Sequence, residues 1–229
     1  MHLYIGNKLY SSWSLRGWLL LAAFDLPFEE TIIPLDEPDT ASKISAVSQA
    51  GRVPVLIDGE ITVWESLAIA EYLHDKYPDI AIWPQDRAAR AHARAISSEM
   101  HAGFMALRNA CPMNLGKRYA RRSRGSDVDT DVARIEEVWR EARARFGSAT
   151  GEPFLYGKFC AADAMFAPVA TRLDTYGFAV EPDTAAYIEA IKAHPAFVDW
   201  LSAALRETWI VPSDEVDEEP VEILRKRPN

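Results

Sequence analysis

The chain is organised around residues 10–16, Tyr10-Ser11-Ser12-Trp13-Ser14-Leu15-Arg16. The short apolar run Leu3-Tyr4-Ile5 precedes this stretch, and the strongly apolar residues 18–23 follow it. This order predicts a strand, a serine-rich turn and the start of a helix. Hydroxyl groups and free backbone N–H groups at a helix N-terminus converge on one point and favour negative charge there. The stretch therefore predicts a strand–turn–helix unit that binds an anion.

The first 78 residues predict the order β-α-β-α-β-β-α. Asp25-Leu26-Pro27 ends the first helix, Asp58-Gly59 joins two strands in a hairpin, and Pro78 ends the last helix. The predicted strands are residues 2–6, 28–34, 51–57 and 60–64, and the predicted helices are residues 14–24, 41–48 and 65–77. Residues 1–78 are therefore predicted to form a small α/β domain.

Beyond a linker at residues 79–86, the sequence shows helical spacing and no convincing strand. The predicted helices are residues 87–110, as one long helix, then 130–146, 161–176, 184–193 and 195–205. The fold class is therefore α/β plus all-α, with an all-helical domain at residues 87–212. The tail, residues 213–229, is acidic and then basic, and is predicted to be mobile or draped on the surface.

Composition excludes several classes of function. The 229 residues carry a formal net charge of −9, which argues against nucleic acid as the main partner. No apolar run approaches the roughly 20 residues of a membrane-spanning helix, and the N-terminus lacks a signal-peptide pattern, so no membrane contact and a cytoplasmic location are expected. Two cysteines and five scattered histidines form no ligand cluster, and no metal site is expected. One basic cluster is either a solvated surface or an attractor of anions: Lys117, Arg118, Arg121, Arg122 and Arg124.

Pro54 enters a predicted strand, where proline is normally confined to an edge or a bulge. On the dipeptide Val53-Pro54 alone, an ordinary trans bond is favoured, because cis bonds are rare. A cis bond would instead turn the preceding backbone outward. Val53 would then expose its N–H and C=O groups and pair with a peptide-like ligand as an added strand does.

Glu65-Ser66 begins a predicted helix and supports two interpretations. Ser66 can cap the helix while the first-turn glutamate favours the helix dipole. Alternatively, the pair clamps a zwitterion: the hydroxyl and N–H of Ser66 take a carboxylate, and Glu65 takes the adjacent ammonium. The pair follows Pro54 after one hairpin, which favours a shared ligand.

The three hydroxyls of the serine turn, Ser11, Ser12 and Ser14, also support two interpretations. They can cap the helix and fill the turn. No neighbouring base would activate a serine nucleophile, and no G-x-S-x-G elbow exists. A hydroxyl aimed at a thiol sulfur, however, stabilises the thiolate by a charge-assisted hydrogen bond. The helix N-terminus lowers the thiol pKa in the same direction.

Four motifs, in this order, resemble those of the glutathione transferase superfamily over nearly the whole chain. Residues 11–16 resemble the serine signature of the zeta class, which has Cys where this chain has Trp13. The other three are Gly51-Arg52-Val53-Pro54-Val55-Leu56, similar to the superfamily's cis-proline strand; residues 65–73, similar to its γ-glutamyl-binding helix start; and residues 154–163, similar to the capping region of its helical domain. The resemblance implies an N-terminal thioredoxin-like domain, a C-terminal helical-bundle domain, glutathione as co-substrate and a homodimer.

The resemblance also implies roles for single residues. Ser11 would hydrogen-bond the glutathione sulfur, with Ser12 and Ser14 as second choices, and Trp13 would reshape the neighbouring acceptor pocket. Val53, which precedes Pro54, would pair with the cysteinyl backbone of glutathione. Glu65 and Ser66 would hold its γ-glutamyl end, and Arg52 or Lys43 would bind its glycyl carboxylate.

A second-substrate pocket is expected between the serine turn and the first long helix. Its candidate residues lie on or beside one face of that helix: Met100, His101, Phe104, Met105 and Arg108, with Cys111 on the same face. The alternative is a core stripe, because methionine and aromatic stripes usually belong to the core. Since His101 and Arg108 are costly in a dry core, we predict a mixed apolar and cationic pocket for a small electrophile or an anion.

The leading hypothesis is a glutathione transferase in which Ser11 stabilises the thiolate for attack on a small electrophile. One alternative is a glutathione-dependent cis–trans isomerase, which the zeta resemblance implies and Trp13 argues against. Another is a non-catalytic binding module on the same scaffold. A disulfide reductase is disfavoured, because the turn contains no cysteine.

The resemblance implies one structural device as well. In the superfamily a serine or threonine caps a buried helix, and an aspartate three residues later returns the hydrogen bond. Here Asp163 occupies the second position, and Cys160, a poor acceptor, occupies the first.

Overall fold

The N-terminal elements of the computed structural model, which describes residues 1–225, follow the predicted order. They are β1 (His2–Ile5), α1 (Ser12–Ala22), β2 (Glu29–Ile32), α2 (Thr40–Ser45), β3 (Val55–Asp58), β4 (Ile61–Trp64) and α3 (Ser66–Lys76). The strands form one sheet in the order β2-β1-β3-β4, with β1 parallel to β2 and the other pairs antiparallel. The predicted α/β, thioredoxin-like unit is confirmed.

The connection from β1 to α1 carries the serine turn, and residues far along the chain hold it. The carboxylate of Glu207 accepts hydrogen bonds from the backbone N–H groups of Lys8 and Leu9, at 2.7 and 3.1 Å. The indole Nε1 of Trp200 donates to the carbonyl oxygen of Lys8 at 2.9 Å. The approach to the turn is therefore positioned by the helical part as well as by the sheet.

Six helices make up most of the second part: α4 (Arg87–Ala102), α5 (Met105–Ala110), α6 (Ser126–Ala142), α7 (Ala161–Thr175), α8 (Pro182–Ala193) and α9 (Pro195–Ala204). α7 is buried along its whole length apart from Asp174, and it packs against α1, α4 and α8. The predicted helical second part is thereby confirmed. Within residues 1–225, no helix combines the length and the apolar character needed to cross a bilayer.

The prediction of one helix over residues 87–110 is wrong, because the chain breaks at Gly103 and Phe104. The N–H of Gly103 still donates to the carbonyl oxygen of Glu99 at 2.8 Å, but Phe104 adopts a left-handed backbone with φ of 56°. A Cβ on Gly103 would lie 2.8 Å from that same oxygen, so the close approach requires glycine. The break changes which side chains α5 presents to its neighbours.

The prediction of no strand after residue 87 is also wrong. β5 (Lys117–Tyr119) pairs antiparallel with β6 (Pro220–Ile223), and Arg118 forms ion pairs with Asp174 and Glu222, at 2.5 and 3.3 Å. The two strands are about a hundred residues apart in the chain, and each is too short to show a period-2 pattern. Their pairing therefore depends on tertiary structure and not on a local signal.

The tail lies on the surface as far as residue 225, as the draped alternative predicts. Glu215 accepts from Tyr10 Oη at 2.6 Å, and Glu218 pairs with Arg122 and Arg124, at 2.7 and 2.8 Å. Residues 226–229, the rest of the predicted tail, lie outside the described residues. Much of the basic cluster is thus neutralised by acidic groups of the same chain.

A capping box begins α7, as predicted. Asp163 has no exposed surface, and its Oδ2 accepts from the Cys160 N–H at 2.9 Å. The Cys160 sulfur in turn faces the N–H of Asp163. The reciprocal bond of Asp163 is therefore confirmed, whereas the acceptor at the capping position is a buried thiol.

Replacing Cys160 with serine is expected to raise the free energy of unfolding by about 1 kcal/mol, because a hydroxyl oxygen is a better acceptor for the N–H of Asp163. The urea midpoint of Cys160→Ser measures this effect. Cys111→Ser serves as the control, since Cys111 is equally buried but occupies no N-cap, and its midpoint should fall. A midpoint of Cys160→Ser at or below that of the wild type contradicts the prediction.

Candidate functional site

A cavity of about 270 Å³ lies between the α/β part and the helical part. Its walls are Trp13 of α1; Arg52, Val53 and Pro54 before β3; Trp64, Glu65 and Ser66 at the junction of β4 and α3; and His101, Ala102, Met105 and Arg108 of α4 and α5. All of these except Trp64 and Ala102 are residues predicted from the sequence. Short segments separated by up to about 90 positions therefore meet at one place.

Val53 and Pro54 form one wall of this cavity. Their peptide bond is cis, so the trans bond favoured on the dipeptide alone is wrong and the bond implied by the resemblance is right. The proline ring packs on Gly17 of α1, where a Cβ would lie 2.8 Å from its Cγ. Neither the N–H nor the C=O of Val53 hydrogen-bonds to any other group in residues 1–225. The cavity wall thus contains an unpaired backbone donor and acceptor.

Glu65 and Ser66 form another part of the cavity wall. Ser66 is only 1% exposed, and its Oγ has no hydrogen-bond partner within residues 1–225. A buried hydroxyl without a partner costs about 1–3 kcal/mol, and here it lies at the N-terminus of α3, where free N–H groups favour an anion. Glu65 holds a positive φ of 68°, a conformation that costs roughly 1–3 kcal/mol for a residue other than glycine. This wall is suited to a carboxylate beside a cation.

Trp13 lies between two guanidinium groups. The Cζ of Arg16 is 4.4 Å from the indole centroid and the Cζ of Arg108 is 4.8 Å from it. The ring of His101 meets the indole edge at 4.9 Å, and its Nε2 is 3.5 Å from the Glu65 carboxylate. Burial lowers the pKa of His101 below its ordinary value, although Glu65 acts in the opposite direction. Burial therefore favours the neutral imidazole.

The serine turn lies beside the cavity, and neither Ser11 nor Ser12 is part of its walls. Ser11 caps α1, with its Oγ accepting from the N–H of Ser14 at 3.4 Å. The hydroxyls of Ser11 and Ser14 are 2.8 Å apart, and Ser14 Oγ also accepts from the N–H of Gly6 at 2.8 Å. Ser12 is half-buried, and its hydroxyl forms no hydrogen bond within residues 1–225. The capping interpretation of Ser11 therefore holds, and it leaves the donor role open.

Two candidates for the second-substrate pocket, Met100 and Phe104, lie in the core instead. Met100 has no exposed surface, and its sulfur accepts a hydrogen bond from Arg16 Nη2 at 3.0 Å. Phe104 is 7% exposed, at the break between α4 and α5. The core-stripe alternative describes these two residues, whereas His101, Met105 and Arg108 reach the cavity. Met100 and His101 are neighbours on α4 and lie on different sides of that helix, whereas Phe104 lies at the break and Met105 and Arg108 follow it on α5.

A second cavity, of about 550 Å³, was not anticipated from the sequence. It is lined by Leu9 and Tyr10 of the β1–α1 connection and by Ile223 and Arg225 of the tail. No local signal predicts this cavity, because its walls come from both ends of the chain. Within residues 1–225, no group of three or more His, Cys, Asp or Glu side chains is placed to hold a metal ion.

Known proteins are similar in sequence to the part of the chain that contains much of this site. A family model described as the N-terminal domain of glutathione S-transferase matches residues 10–76. A probable maleylacetoacetate isomerase of Caenorhabditis elegans is 38% identical over 106 residues, which are 44% of this chain and 49% of the relative. The chain therefore matches about half the length of that relative. The maleylacetoacetate isomerase of Pseudomonas aeruginosa is 28% identical over 162 residues, which are 66% of this chain and 72% of that protein.

One solved structure extends the likeness to both parts of the chain. A glutathione transferase homolog from Burkholderia, with bound glutathione, is 27% identical and has a TM-score of 0.68. The superposition covers 89% of this chain and 97% of that one. The arrangement of an α/β part followed by a helical part is therefore shared along the whole of the related structure.

Proposed function

We propose that the chain belongs to the glutathione transferase superfamily, which the matches to its N-terminal domain model and to known members support, and that it transfers glutathione to a small electrophile. The observation that carries the proposal is the unpartnered Ser66 hydroxyl, buried at a helix N-terminus in a cavity that also contains the unpaired backbone of Val53. Together these groups suit a peptide-like ligand whose carboxylate lies at Ser66 and whose backbone pairs with Val53. A homodimer and a cytoplasmic location remain predictions from the family.

Glutathione fits the cavity walls group by group. Ser66 takes the γ-glutamyl carboxylate and Glu65 takes the ammonium beside it. Val53 pairs with the cysteinyl backbone. Arg52, which is exposed and lines the cavity, suits the glycyl carboxylate better than Lys43, because Lys43 already pairs with Asp39 at 2.6 Å.

Ser11 is the proposed donor to the sulfur. Hydroxyl hydrogens rotate to suit their partners, so Ser14 can donate to Ser11 while it accepts from Gly6, and the Ser11 hydrogen is then free for the thiolate. The N-terminus of α1 favours the negative charge in the same place. Tyr10, the neighbouring hydroxyl, is already committed to Glu215 at 2.6 Å, and burial followed by that hydrogen bond raises the pKa of Tyr10.

Catalysis then consists of thiolate stabilisation and orientation. The sulfur attacks an electrophilic carbon of the second substrate, and a carbon–sulfur bond forms. The leaving group departs with its bonding electrons, and the thiol proton has already been released to solvent. His101, Met105 and Arg108 face the space next to Trp13, where the second substrate would lie.

Ser11→Ala is expected to raise the pKa of the bound glutathione thiol by about one to two units, because a hydrogen bond to a charged group contributes about 1.5–3 kcal/mol. Ultraviolet titration of the bound thiolate measures this pKa. Ser12→Ala is the matched control and should leave it unchanged. An equal pKa in wild type and Ser11→Ala refutes the role of Ser11, and a shift in Ser12→Ala alone assigns the role to Ser12.

A glutathione-dependent isomerase is the second candidate, because two of the relatives carry that name. There the thiolate adds to a double bond, rotation follows, and glutathione leaves unchanged. Net consumption of glutathione separates the two reactions: stoichiometric loss supports a transferase, and no loss supports an isomerase. Failure of the chain to be retained on immobilised glutathione would instead favour a non-catalytic binding module.

A further inference from the structure

Arg16, Arg108 and Arg172 lie near one another, the first two against Trp13. None of the three forms an ion pair with a carboxylate within residues 1–225. Arg16 and Arg172 are 1% and 5% exposed, and all the groups that they contact by hydrogen bonds within residues 1–225 are carbonyl oxygens or a methionine sulfur. Arg108 likewise donates only to carbonyl oxygens, those of His101 and Gly103. By contrast, Arg118 and Arg124 each pair with an acidic side chain.

The three guanidinium groups repel one another. Burial, followed by Arg172 and Arg108, lowers the pKa of Arg16 well below its ordinary value. Burial and then Arg108 lower the pKa of Arg172 to about 10. The acid whose charge acts on Arg172 is Asp214, and burial raises the pKa of Asp214 to about 6. Concentrated positive charge that Asp214 balances only in part is costly away from water, so an added anion would be bound favourably.

Only Arg108 of the three reaches the cavity. Its two hydrogen bonds are long, 3.3 and 3.4 Å, and both come from Nη1. Nε and Nη2 form no hydrogen bond within residues 1–225, which leaves one edge of the guanidinium fork available. Trp13 holds the group in place, since the Cζ of Arg108 lies 4.8 Å from the indole centroid and Arg16 covers the same ring at 4.4 Å. Such a preorganised fork matches a carboxylate in two-point geometry.

We infer that the second substrate carries a carboxylate and that Arg108 binds it through Nε and Nη2, with Trp13 and Arg16 as positioning residues. The inference rests on the proposed function, in which Ser66 and Arg52 already account for the two carboxylates of glutathione. The ligand class is a small electrophile with a carboxylate at one end and an apolar body, which Met105 and Trp13 contact.

Two benzylic chlorides that differ in charge test the inference: 4-(chloromethyl)benzoate and 4-(chloromethyl)benzamide. In each compound the thiolate attacks the benzylic carbon, a carbon–sulfur bond forms, and chloride leaves with the bonding electrons. Arg108→Met should lower kcat/KM for the benzoate about 10- to 100-fold, because a hydrogen-bonded charge pair is lost. The loss should lie mainly in KM. The benzamide and the KM for glutathione should change less than about twofold.

Two further variants serve as controls. Arg108→Lys keeps the charge without the fork and should retain part of the preference for benzoate. Arg145→Met removes an exposed arginine that pairs with Glu141 and should change neither substrate. Equal losses for benzoate and benzamide, or a raised KM for glutathione in Arg108→Met, overturn the inference, and the latter would assign Arg108 to the glutathione side.

Binding without turnover separates this inference from the transferase proposal. Calorimetry with 4-methylbenzoate and 4-methylbenzamide on the wild-type chain should show at least a tenfold preference for the carboxylate. If the carboxylate is preferred but neither chloride is conjugated, the result supports the anion site and contradicts the transferase proposal. Conjugation of both chlorides without any preference does the reverse. The wild-type comparison also keeps the test valid if Arg108→Met does not fold.

Discussion

Replacing Asp163 with asparagine is expected to lower the free energy of unfolding by about 3 kcal/mol, since three buried donors converge on this carboxylate. Oδ1 accepts from the N–H of Leu155 at 3.1 Å and from the hydroxyl of Tyr187 at 3.0 Å, while Oδ2 accepts from the N–H of Cys160 at 2.9 Å. An asparagine can keep one oxygen in place. Its amide NH2 then faces at least one N–H donor, and that donor loses its partner.

The experiment is a urea titration at pH 8, where Asp163 is ionised, because burial raises its pKa only to about 6. Asp174→Asn is the matched control: that carboxylate lies nearer the surface, where it pairs with Arg118 and Lys192, and its loss should cost less than about 1 kcal/mol. Equal effects of the two substitutions would mean that the buried network contributes no more than a surface ion pair.

Local signals account for the α/β part of the fold. Asp58-Gly59 predicts the hairpin that β3 and β4 form, and Pro78 predicts the end of α3 at Lys76. These signals work because each concerns a few adjacent residues whose backbone preferences are strong. The ends of these elements differ from the prediction by at most four residues. Such differences arise because helices and strands fray at their ends, where the last hydrogen bonds depend on neighbouring groups.

The predictions that failed concern contacts between distant segments. β5 and β6 form by pairing with each other, and neither strand is recognisable from its own sequence. The break at Gly103 and Phe104 depends on a close approach to the carbonyl oxygen of Glu99, which a helical pattern does not reveal. Phe104 lies in the core at this break, so the error in the helix prediction and the error in the pocket prediction meet at one residue. Met100 was assigned to the pocket wrongly as well, although it lies on the unbroken part of α4.

Most of the candidate site was nevertheless predictable, because its residues occur in short motifs whose chemistry is recognisable. The arginine cluster was not. Arg16 ends the serine motif, but its burial depends on α1 being enclosed on every side from Ser14 to Leu21. The available signal was an arginine inside a strongly apolar helix, a position at which a charge requires a structural or functional partner.

Ser66→Ala is expected to weaken glutathione binding by about 10- to 100-fold, equivalent to about 1.5–3 kcal/mol for a lost hydrogen bond to a carboxylate. The substitution should not destabilise the ligand-free chain. The hydroxyl has no partner within residues 1–225 and is 1% exposed, so its removal relieves a desolvation cost, and the urea midpoint should stay the same or rise. An affinity loss without a stability loss distinguishes a ligand-binding serine from a structural cap.

Ser97 is the matched control for this prediction. Its Oγ is also buried and without a partner within residues 1–225, but it lies on α4 outside the cavity walls. Ser97→Ala should therefore raise or preserve the urea midpoint in the same way, and calorimetry should show unchanged glutathione affinity. If Ser66→Ala lowers the midpoint and leaves affinity unchanged, Ser66 is a structural residue and the clamp with Glu65 is wrong. If both substitutions weaken binding equally, the effect comes from repacking around the helices and not from the hydroxyl at the cavity wall.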